Sequence, residues 1–150
     1  MKPTLISVAI FITFAVLTPC LYAASPDTIG MVRNLAGEAT VTRGGEIFPA
    51  AVGTKLVVGD TLMTGSNGTM GVILRDNSTL SIGPGSSLVV RNFLFSPAKG
   101  KFGLLIRLSR GTMAYLSGLI GKLAPESARF ETPVASIGIR GTRFAVKLDD

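Results

Sequence analysis

The sequence predicts an all-β fold, and three observations support this prediction. Past the N-terminal segment, apolar and polar residues alternate in short runs with almost no helical periodicity. Glycine, asparagine, proline and serine separate these runs, and the 18 glycines favour tight corners because glycine adopts positive φ without steric cost. Short strands at this spacing suit a sandwich, a barrel or a solenoid. We therefore expect a single domain that is β-solenoid-like or a β-sandwich.

The N-terminal segment has the order of a secretory signal peptide, with Lys2, an apolar run from Leu5 to Val16, and the small residues Ala23 and Ala24. We expect residues 1–24 to be a signal peptide, residues 25–150 to form the β domain, and the protein to be periplasmic. An uncleaved membrane anchor is an alternative, because this stretch approaches the ~20 residues that a membrane span needs. A lipoprotein signal ending at Cys20 is disfavoured by the preceding proline.

The first half of the domain contains two predicted hairpins. Ala39 and Val41 alternate with threonines before the tight turn at Gly44-Gly45, which leads into residues 46–51. Val72 and Leu74 share one face, Asp76-Asn77 turns the chain, and the same spacing resumes at Leu80 and Ile82. This second unit is interpreted as a hairpin or one corner of a solenoid.

The second half has longer runs. Leu104, Ile106 and Leu108 follow Phe102 at period two, and Phe144, Val146 and Leu148 repeat this pattern near the C-terminus. The interval from Phe93 to Lys101 contains Pro97 and Gly100 and is interpreted as a mobile loop. Residues 111–124 predict a strand around Met113–Leu116 and a short helical turn near Leu119–Leu123.

Composition excludes most familiar catalytic designs. Cys20 is the only cysteine and would be lost with a signal peptide, and the chain has no histidine. The segment 118–122 ends like a phosphate-binding loop but lacks its first glycine and its serine or threonine. We therefore expect no enzyme activity and no cofactor or metal. A polysaccharide hydrolase remains an alternative that would need a carboxylate pair, drawn from Glu126, Glu131, Asp60 or Asp76.

Charge is spread unevenly along the chain. Residues 24–90 carry four basic and five acidic side chains, net −1, whereas residues 91–150 carry ten basic and four acidic, net +6. Such asymmetry can mark contact with an anionic partner or can simply solvate strand faces. We single out four arginines as a candidate interaction surface: Arg140, Arg143, Arg107 and Arg110. An envelope protein is the expected partner, with anionic polysaccharide or a lipid surface as alternatives, and neither nucleic acid nor a small-molecule substrate is expected.

Seven further residues are expected to shape the backbone. Aspartates at turns usually accept backbone N–H groups, which is the role predicted for Asp60 and Asp76. In the segment 131–144, proline denies a donor to the strand ladder, and two glycines bracket Arg140. The structural set comprises Pro133, Gly138, Gly141, Thr142, Gly59, Asp60 and Asp76.

Four segments together resemble the FecR domain family, which is named for a periplasmic iron-dicitrate sensor that regulates a sigma factor. They are Gly37–Arg43; Gly53 and Leu56 with Gly59-Asp60 and Thr64-Gly65; Leu74–Leu80; and the closing motif Thr132–Thr142. The resemblance implies an all-β, solenoid-like periplasmic domain whose motif residues are mainly architectural. Only Met1 to Leu5 precede the apolar segment, and the chain stops at Asp150, so we expect no direct control of a sigma factor.

The leading functional hypothesis is thus a periplasmic binding or scaffold module that engages an envelope protein or an anionic polymer. It would do so through an exposed sheet edge or through the basic C-terminal half. The alternative hypothesis is a component of an envelope signalling system that senses a stimulus and acts on a membrane regulator.

Overall fold

The computed structural model describes residues 26–139, 141 and 143–149. The described strands are Thr28–Ala36 (β1), Ala39–Arg43 (β2), Glu46–Pro49 (β3), Lys55–Val57 (β4), Thr61–Thr64 (β5), Thr69–Leu74 (β6), Thr79–Ile82 (β7), Ser87–Ser96 (β8), Lys101–Leu116 (β9), Ala128–Glu131 (β10), Ser136–Gly138 (β11) and Arg143–Leu148 (β12). One short helix, Leu119–Leu123 (α1), lies between two 3-10 turns at Pro97–Lys99 and Pro125–Ser127. The expected signal peptide lies outside the described residues.

The strands form one curled sheet, a half-barrel that closes over a single core. All its pairings are antiparallel except that of β10 with β9. The all-β prediction is therefore confirmed.

The 16-residue strand β9 connects the two leaves of this sheet. Its first part pairs with β8 and β10 in the leaf ordered β3-β2-β5-β8-β9-β10-β11. Its second part pairs with β7 and β12 in the leaf ordered β4-β1-β6-β7-β9-β12. We call these the first leaf and the second leaf. One continuous strand, β9, thus contributes buried core residues to both leaves.

A bulge beside Gly111 lets both parts of β9 face the core. Leu104, Ile106 and Leu108 are buried in the first part, whereas Met113 and Tyr115 are buried in the second, so the inward positions change from even to odd numbers. The register against β8 skips Ser109, just before Gly111, which has φ +87. A bulge adds one residue to a strand and increases its bend, which is what carries β9 from one leaf into the other.

Polar side chains hydrogen-bond to the backbone of β9 at this bend. The Ser86 hydroxyl accepts the Thr112 N–H at 2.9 Å and donates to the Thr112 carbonyl at 3.1 Å. The Thr64 hydroxyl accepts the Ser86 N–H at 2.9 Å and donates to the Gly83 carbonyl at 2.7 Å. A Cβ at Gly111 would overlap the Ser86 side chain, so the close approach requires glycine.

Most predicted elements are confirmed. The Gly44-Gly45 turn joins β2 to β3, the Asp76-Asn77 turn joins β6 to β7 as a hairpin, and the segment 111–124 contains the predicted strand and helical turn. The loop predicted from Phe93 to Lys101 is wrong, because β8 continues to Ser96 and β9 begins at Lys101. Only Pro97–Gly100 turns the chain, and two half-buried phenylalanines flanking it favour continued pairing.

Across the part of the chain that the structure describes, no helix has the length and apolar character of a membrane span.

Candidate binding edge and its buried support

The turn between β4 and β5 is held by an ion pair. Asp60, 1% exposed, accepts the Arg43 guanidinium through both oxygens at 2.8 and 2.7 Å and the Val57 N–H at 2.9 Å. Gly59 provides the positive φ (+91) of this turn and donates its N–H to the Val90 carbonyl. The hydrogen bonds to Asp60 raise the pKa of Arg43 above its ordinary value. A charge-assisted bidentate pair of this kind fixes its geometry strongly.

The same ion pair caps the backbone of β4. Arg43 also donates to the Lys55 carbonyl at 2.9 Å, and Asp60 takes the Val57 N–H. Lys55 and Val57 are the two ends of this three-residue strand, whose other neighbour is β1. Side chains therefore occupy backbone groups that an edge strand would otherwise offer to another chain.

The turn between β6 and β7 contains a second buried carboxylate with no cation beside it. Asp76 accepts the Ser78 N–H at 3.0 Å, the Ser78 hydroxyl at 2.6 Å and the Ile120 N–H at 3.2 Å. Its carbonyl accepts the Leu119 N–H at 2.7 Å. These donors tie the start of α1 to the hairpin, and a Cβ at Gly118 would overlap the Asp76 carbonyl. The glycine of the segment that resembled a phosphate loop is needed for this close approach.

Asp76, Ser78 and Gly118 form a polar corner, which Tyr115 connects to β12, the last strand of the second leaf. Its hydroxyl lies 3.0 Å from the Ser78 hydroxyl, which also accepts the Gly118 N–H at 3.0 Å. Its ring packs against Phe130 and Phe144 with centroids 4.7 and 5.7 Å away, and those two rings lie 4.6 Å apart. Burial raises the pKa of Tyr115 above its ordinary value, partly offset by the hydrogen bond to Ser78.

Strand β12 is the open end of the second leaf. It pairs with β9, and its side chains alternate between exposed and half-buried. Phe144, Val146 and Leu148 lie against the core but stay half-buried, whereas Arg143 and Lys147 are exposed on the outer face. The core is therefore incompletely covered at this edge, and one more strand beside β12 would bury these three side chains further.

Among the described strands, only β9 pairs with β12, so the other side of the β12 backbone faces no described strand. Gly83 donates to the Thr112 carbonyl, so the backbone of Thr112 faces β7, and the alternating residues Met113 and Tyr115 face β12. Their partners Val146 and Phe144 thus form the ladder with β9. The N–H and C=O groups of Arg143, Ala145 and Lys147 point away from β9 along the free edge.

The other free edges described are blocked or short. In β3, Ala50 donates to Ala39, which by alternation leaves Ile47 and Pro49 pointing outwards, and Pro49 has no N–H to offer. The Arg43–Asp60 pair caps β4, and β11 has three residues. Strand β12 has six residues and no proline, so it is the most accessible edge for a partner strand among those described.

A comparison with known protein families places this geometry in context. The FecR protein family matches residues 60–150, which is more than half of the chain. The chain belongs to the FecR family. This confirms the resemblance, although the match begins at Asp60 and thus omits β1 to β4. No curated protein and no solved structure gives a significant match.

The FecR family is a periplasmic domain of envelope signalling regulators and is regulatory rather than enzymatic. Its closing motif here, residues 132–142, lies between β10 and β12 and contains β11. Pro133 lies in an exposed turn in which Thr132 donates to and accepts from the Ala135 backbone, and Gly138 ends β11 opposite Arg129. Gly141 is exposed between β11 and β12. Arg140 and Thr142 lie outside the described residues.

The three predicted arginines that the structure describes lie at different places on the sheet. Arg107 lies on the outer face of the first leaf, between the buried Ile106 and Leu108. Arg143 lies on the outer face of the second leaf, opposite the exposed Leu116. Arg110 is at the bend of β9, beside a cavity of about 280 Å³ that Glu38 also lines. Since the inner faces of the two leaves pack together, their outer faces point in different directions.

The four carboxylates considered for a hydrolase either have structural roles or lie in different elements of the fold. The oxygens of Asp60 and Asp76 are occupied by the internal hydrogen bonds described above, in two different turns. Glu126 lines a cavity of about 520 Å³ with Arg129, and Glu131 is half-buried at the end of β10. In the described residues no three of the side chains His, Cys, Asp and Glu are grouped to hold a metal ion.

Sequence reasoning missed the supporting roles of Tyr115, Ser78 and Arg43. Asp60 and Asp76 were placed at turns from their neighbours, but each also has a partner far away in the chain, Arg43 at 17 residues and Ile120 at 44 residues. The one available signal was a tyrosine at an inward position of β9, because a buried tyrosine hydroxyl usually has a hydrogen-bond partner.

Proposed function

We propose that this protein is a non-catalytic binding module of the periplasm that takes an extended segment of an envelope protein as an additional strand along β12. The observation that supports this is the open edge of β12, beside blocked or short edges elsewhere in the described sheet. Addition of a strand uses backbone hydrogen bonds for affinity and alternate side chains for specificity.

The side chains of β12 define the chemistry of the partner. A strand paired with β12 would place every second residue beside the half-buried Phe144, Val146 and Leu148, and the others beside Arg143 and Lys147. The matching segment alternates apolar with acidic residues, because opposite charges on neighbouring strands are favourable and like charges are not. A second copy of β12 would oppose its basic side chains to each other. This favours an acidic partner over self-association.

A binding experiment tests this proposal with a defined probe. A fluorescein-labelled octapeptide of alternating valine and glutamate is titrated with the purified chain, and fluorescence anisotropy gives the dissociation constant. We expect saturable binding that weakens about fivefold in Ala145→Pro, because proline removes an outward N–H and a hydrogen bond contributes about 1 kcal/mol. The alternating valine and lysine peptide should bind more weakly than the acidic one.

The matched control is Ile47→Pro, which removes an outward N–H from the edge of β3 instead. It should leave peptide affinity unchanged, and circular dichroism should show that both variants keep the β fold. Equal affinities of the wild type and Ala145→Pro, or equal loss in Ile47→Pro, would reject the β12 edge as the binding site.

Membership of the FecR family favours a second candidate, a component of an envelope signalling system that acts on a membrane regulator. In this case the strand added to β12 would belong to a regulatory partner, and the apolar segment 5–24 would stay attached as an anchor. Fractionation of cells followed by intact-mass measurement distinguishes the two. A membrane-bound chain of full mass supports the signalling component, and a released chain lacking the segment supports the free module.

A further inference from the structure

The hairpin of β8 and β9 extends beyond the rest of the first leaf. Strand β5 pairs with β8 only up to Val89, and β10 pairs with β9 only from Leu104. Residues 91–103 thus form a two-stranded extension, which we call the tip hairpin. Its side chains are exposed or half-buried, in contrast to the buried β9 residues that follow.

The tip hairpin combines basic and apolar side chains. Arg91, Lys99 and Lys101 are exposed, and no aspartate or glutamate occurs anywhere between Asp76 and Glu126. Leu94 is 43% exposed, and the half-buried rings of Phe95 and Phe102 lie 6.2 Å apart. Basic ends beside aromatic and aliphatic groups are the composition that lies favourably in the headgroup region of an anionic bilayer.

The start of the folded chain lies beside this hairpin. Pro26 and Asp27 line the same groove of about 450 Å³ as Phe93, Leu94 and Phe95, and the exposed Val58 completes its rim. The apolar run that ends at Val16 is followed by nine residues and then Pro26 in the sequence. A chain still attached to that segment therefore places the tip hairpin close to the bilayer surface.

From this placement we propose that the tip hairpin is a membrane-contact site that binds anionic phospholipid headgroups through Lys99 and Lys101, with Leu94, which shares the outer face of the hairpin with Lys101, meeting the acyl boundary. Asp27 is the acidic side chain at this end of the groove. Its single charge is outweighed by the three basic residues of the hairpin. The exposed leucine favours a bilayer over a soluble anionic polysaccharide, which offers no apolar phase to receive it.

A depth measurement on the full-length chain tests the proposal without interference from the apolar segment. In a Cys20→Ser background, a bimane fluorophore is attached at Ala98→Cys in the hairpin turn. The matched control position is Asn67→Cys, in the exposed turn at the opposite end of β5. Both proteins are reconstituted in vesicles of phosphatidylcholine with 30% phosphatidylserine that contain spin-labelled lipid.

We expect spin-labelled lipid to quench the fluorophore at position 98 but not at position 67, with weak quenching in pure phosphatidylcholine. Lys99→Gln combined with Lys101→Gln should lower the ratio of lipid-contacting to free tips about 25-fold, since each basic residue near an anionic surface contributes roughly a fivefold gain in this ratio. Lys122→Gln, an exposed lysine in α1 beyond the other end of β9, should change nothing.

Three results would overturn this site. They are the absence of quenching at position 98 in vesicle-bound protein, equal quenching at both positions, and equal quenching in zwitterionic vesicles. The measurement is independent of β12, because neither the labels nor the charge variants lie on that strand. Peptide binding and lipid contact can therefore fail separately.

Discussion

Two edges of the same sheet, β4 and β12, contrast in how their backbones are covered. In β4, the Arg43–Asp60 pair occupies the carbonyl of Lys55 and the N–H of Val57. In β12, the groups of Arg143, Ala145 and Lys147 face outwards, beside apolar side chains that are half-buried. The difference indicates that the side chains next to each edge strand decide whether its backbone groups are covered. An ion pair between the buried Asp60 and the part-exposed Arg43 closes one edge, while the other depends on an aromatic cluster beneath it.

The largest expected effect on stability comes from removing the Arg43 side chain, which caps the edge strand β4. Arg43→Ala leaves Asp60 nearly fully buried without its cation and should lower the free energy of unfolding by about 3 kcal/mol. Urea denaturation followed by tyrosine fluorescence measures this, with Arg33→Ala as the control on the exposed face of β1. A loss below about 0.5 kcal/mol would mean that solvent replaces the guanidinium without cost.

The next effect concerns the support of the open edge. Phe144→Ala removes a ring that packs on Phe130 and Tyr115, and should cost about 2 kcal/mol because the side chain is half-buried. It should also weaken binding of the valine–glutamate peptide, whereas Phe48→Ala on β3 should leave that affinity unchanged. Unaltered peptide binding in Phe144→Ala would show that β12 keeps its place without the aromatic cluster.

A smaller effect tests the polar corner beneath this cluster. Tyr115→Phe deletes the hydrogen bond to Ser78 and should cost about 1 kcal/mol at neutral pH. Burial raises the Tyr115 pKa in the folded state, so its contribution is fully present below the unfolded pKa of about 10. This contribution to stability is lost as the pH rises from the unfolded pKa through the folded-state pKa of Tyr115, because in that range Tyr115 ionises only in the unfolded state.

Unfolding free energies measured between pH 8 and 11 should therefore fall at the alkaline end in the wild type, and fall less in Tyr115→Phe. Tyr22 lies outside the described residues, so Tyr22→Phe serves as the comparison for the titration of tyrosine itself. Parallel pH profiles for the wild type and Tyr115→Phe would contradict the assignment of the raised pKa to burial of this hydroxyl.

The smallest change in stability is expected when Pro49, which blocks the free edge of β3, is replaced. Pro49→Thr restores an outward N–H on that edge and should alter the free energy of unfolding by less than about 0.5 kcal/mol. It should nevertheless promote association at high concentration, detected by light scattering, because an unprotected edge can pair with another chain. A variant that stays as dispersed as the wild type would show that Pro49 does not protect the edge.

The sequence by itself determined the strands and their turns. Alternation of apolar residues located β9 and β12, and glycine or aspartate at the corners located the Gly44-Gly45 and Asp76-Asn77 turns, because these signals act over a few residues. It also predicted the family. The loop at residues 93–101 was mispredicted because proline and glycine there interrupt the pairing for only four residues, Pro97–Gly100.

Only the tertiary structure decided what the turns hold and which edges stay open. Asp60 and Asp76 look alike in sequence, yet one binds a distant guanidinium and the other binds only neutral donors. Arg107 and Arg143, which sequence grouped in one basic half, lie on the outer faces of different leaves, since β9 passes from one leaf to the other beside Gly111. Contacts between residues far apart in the chain depend on how the strands pair, and alternation within a strand carries no information about that pairing.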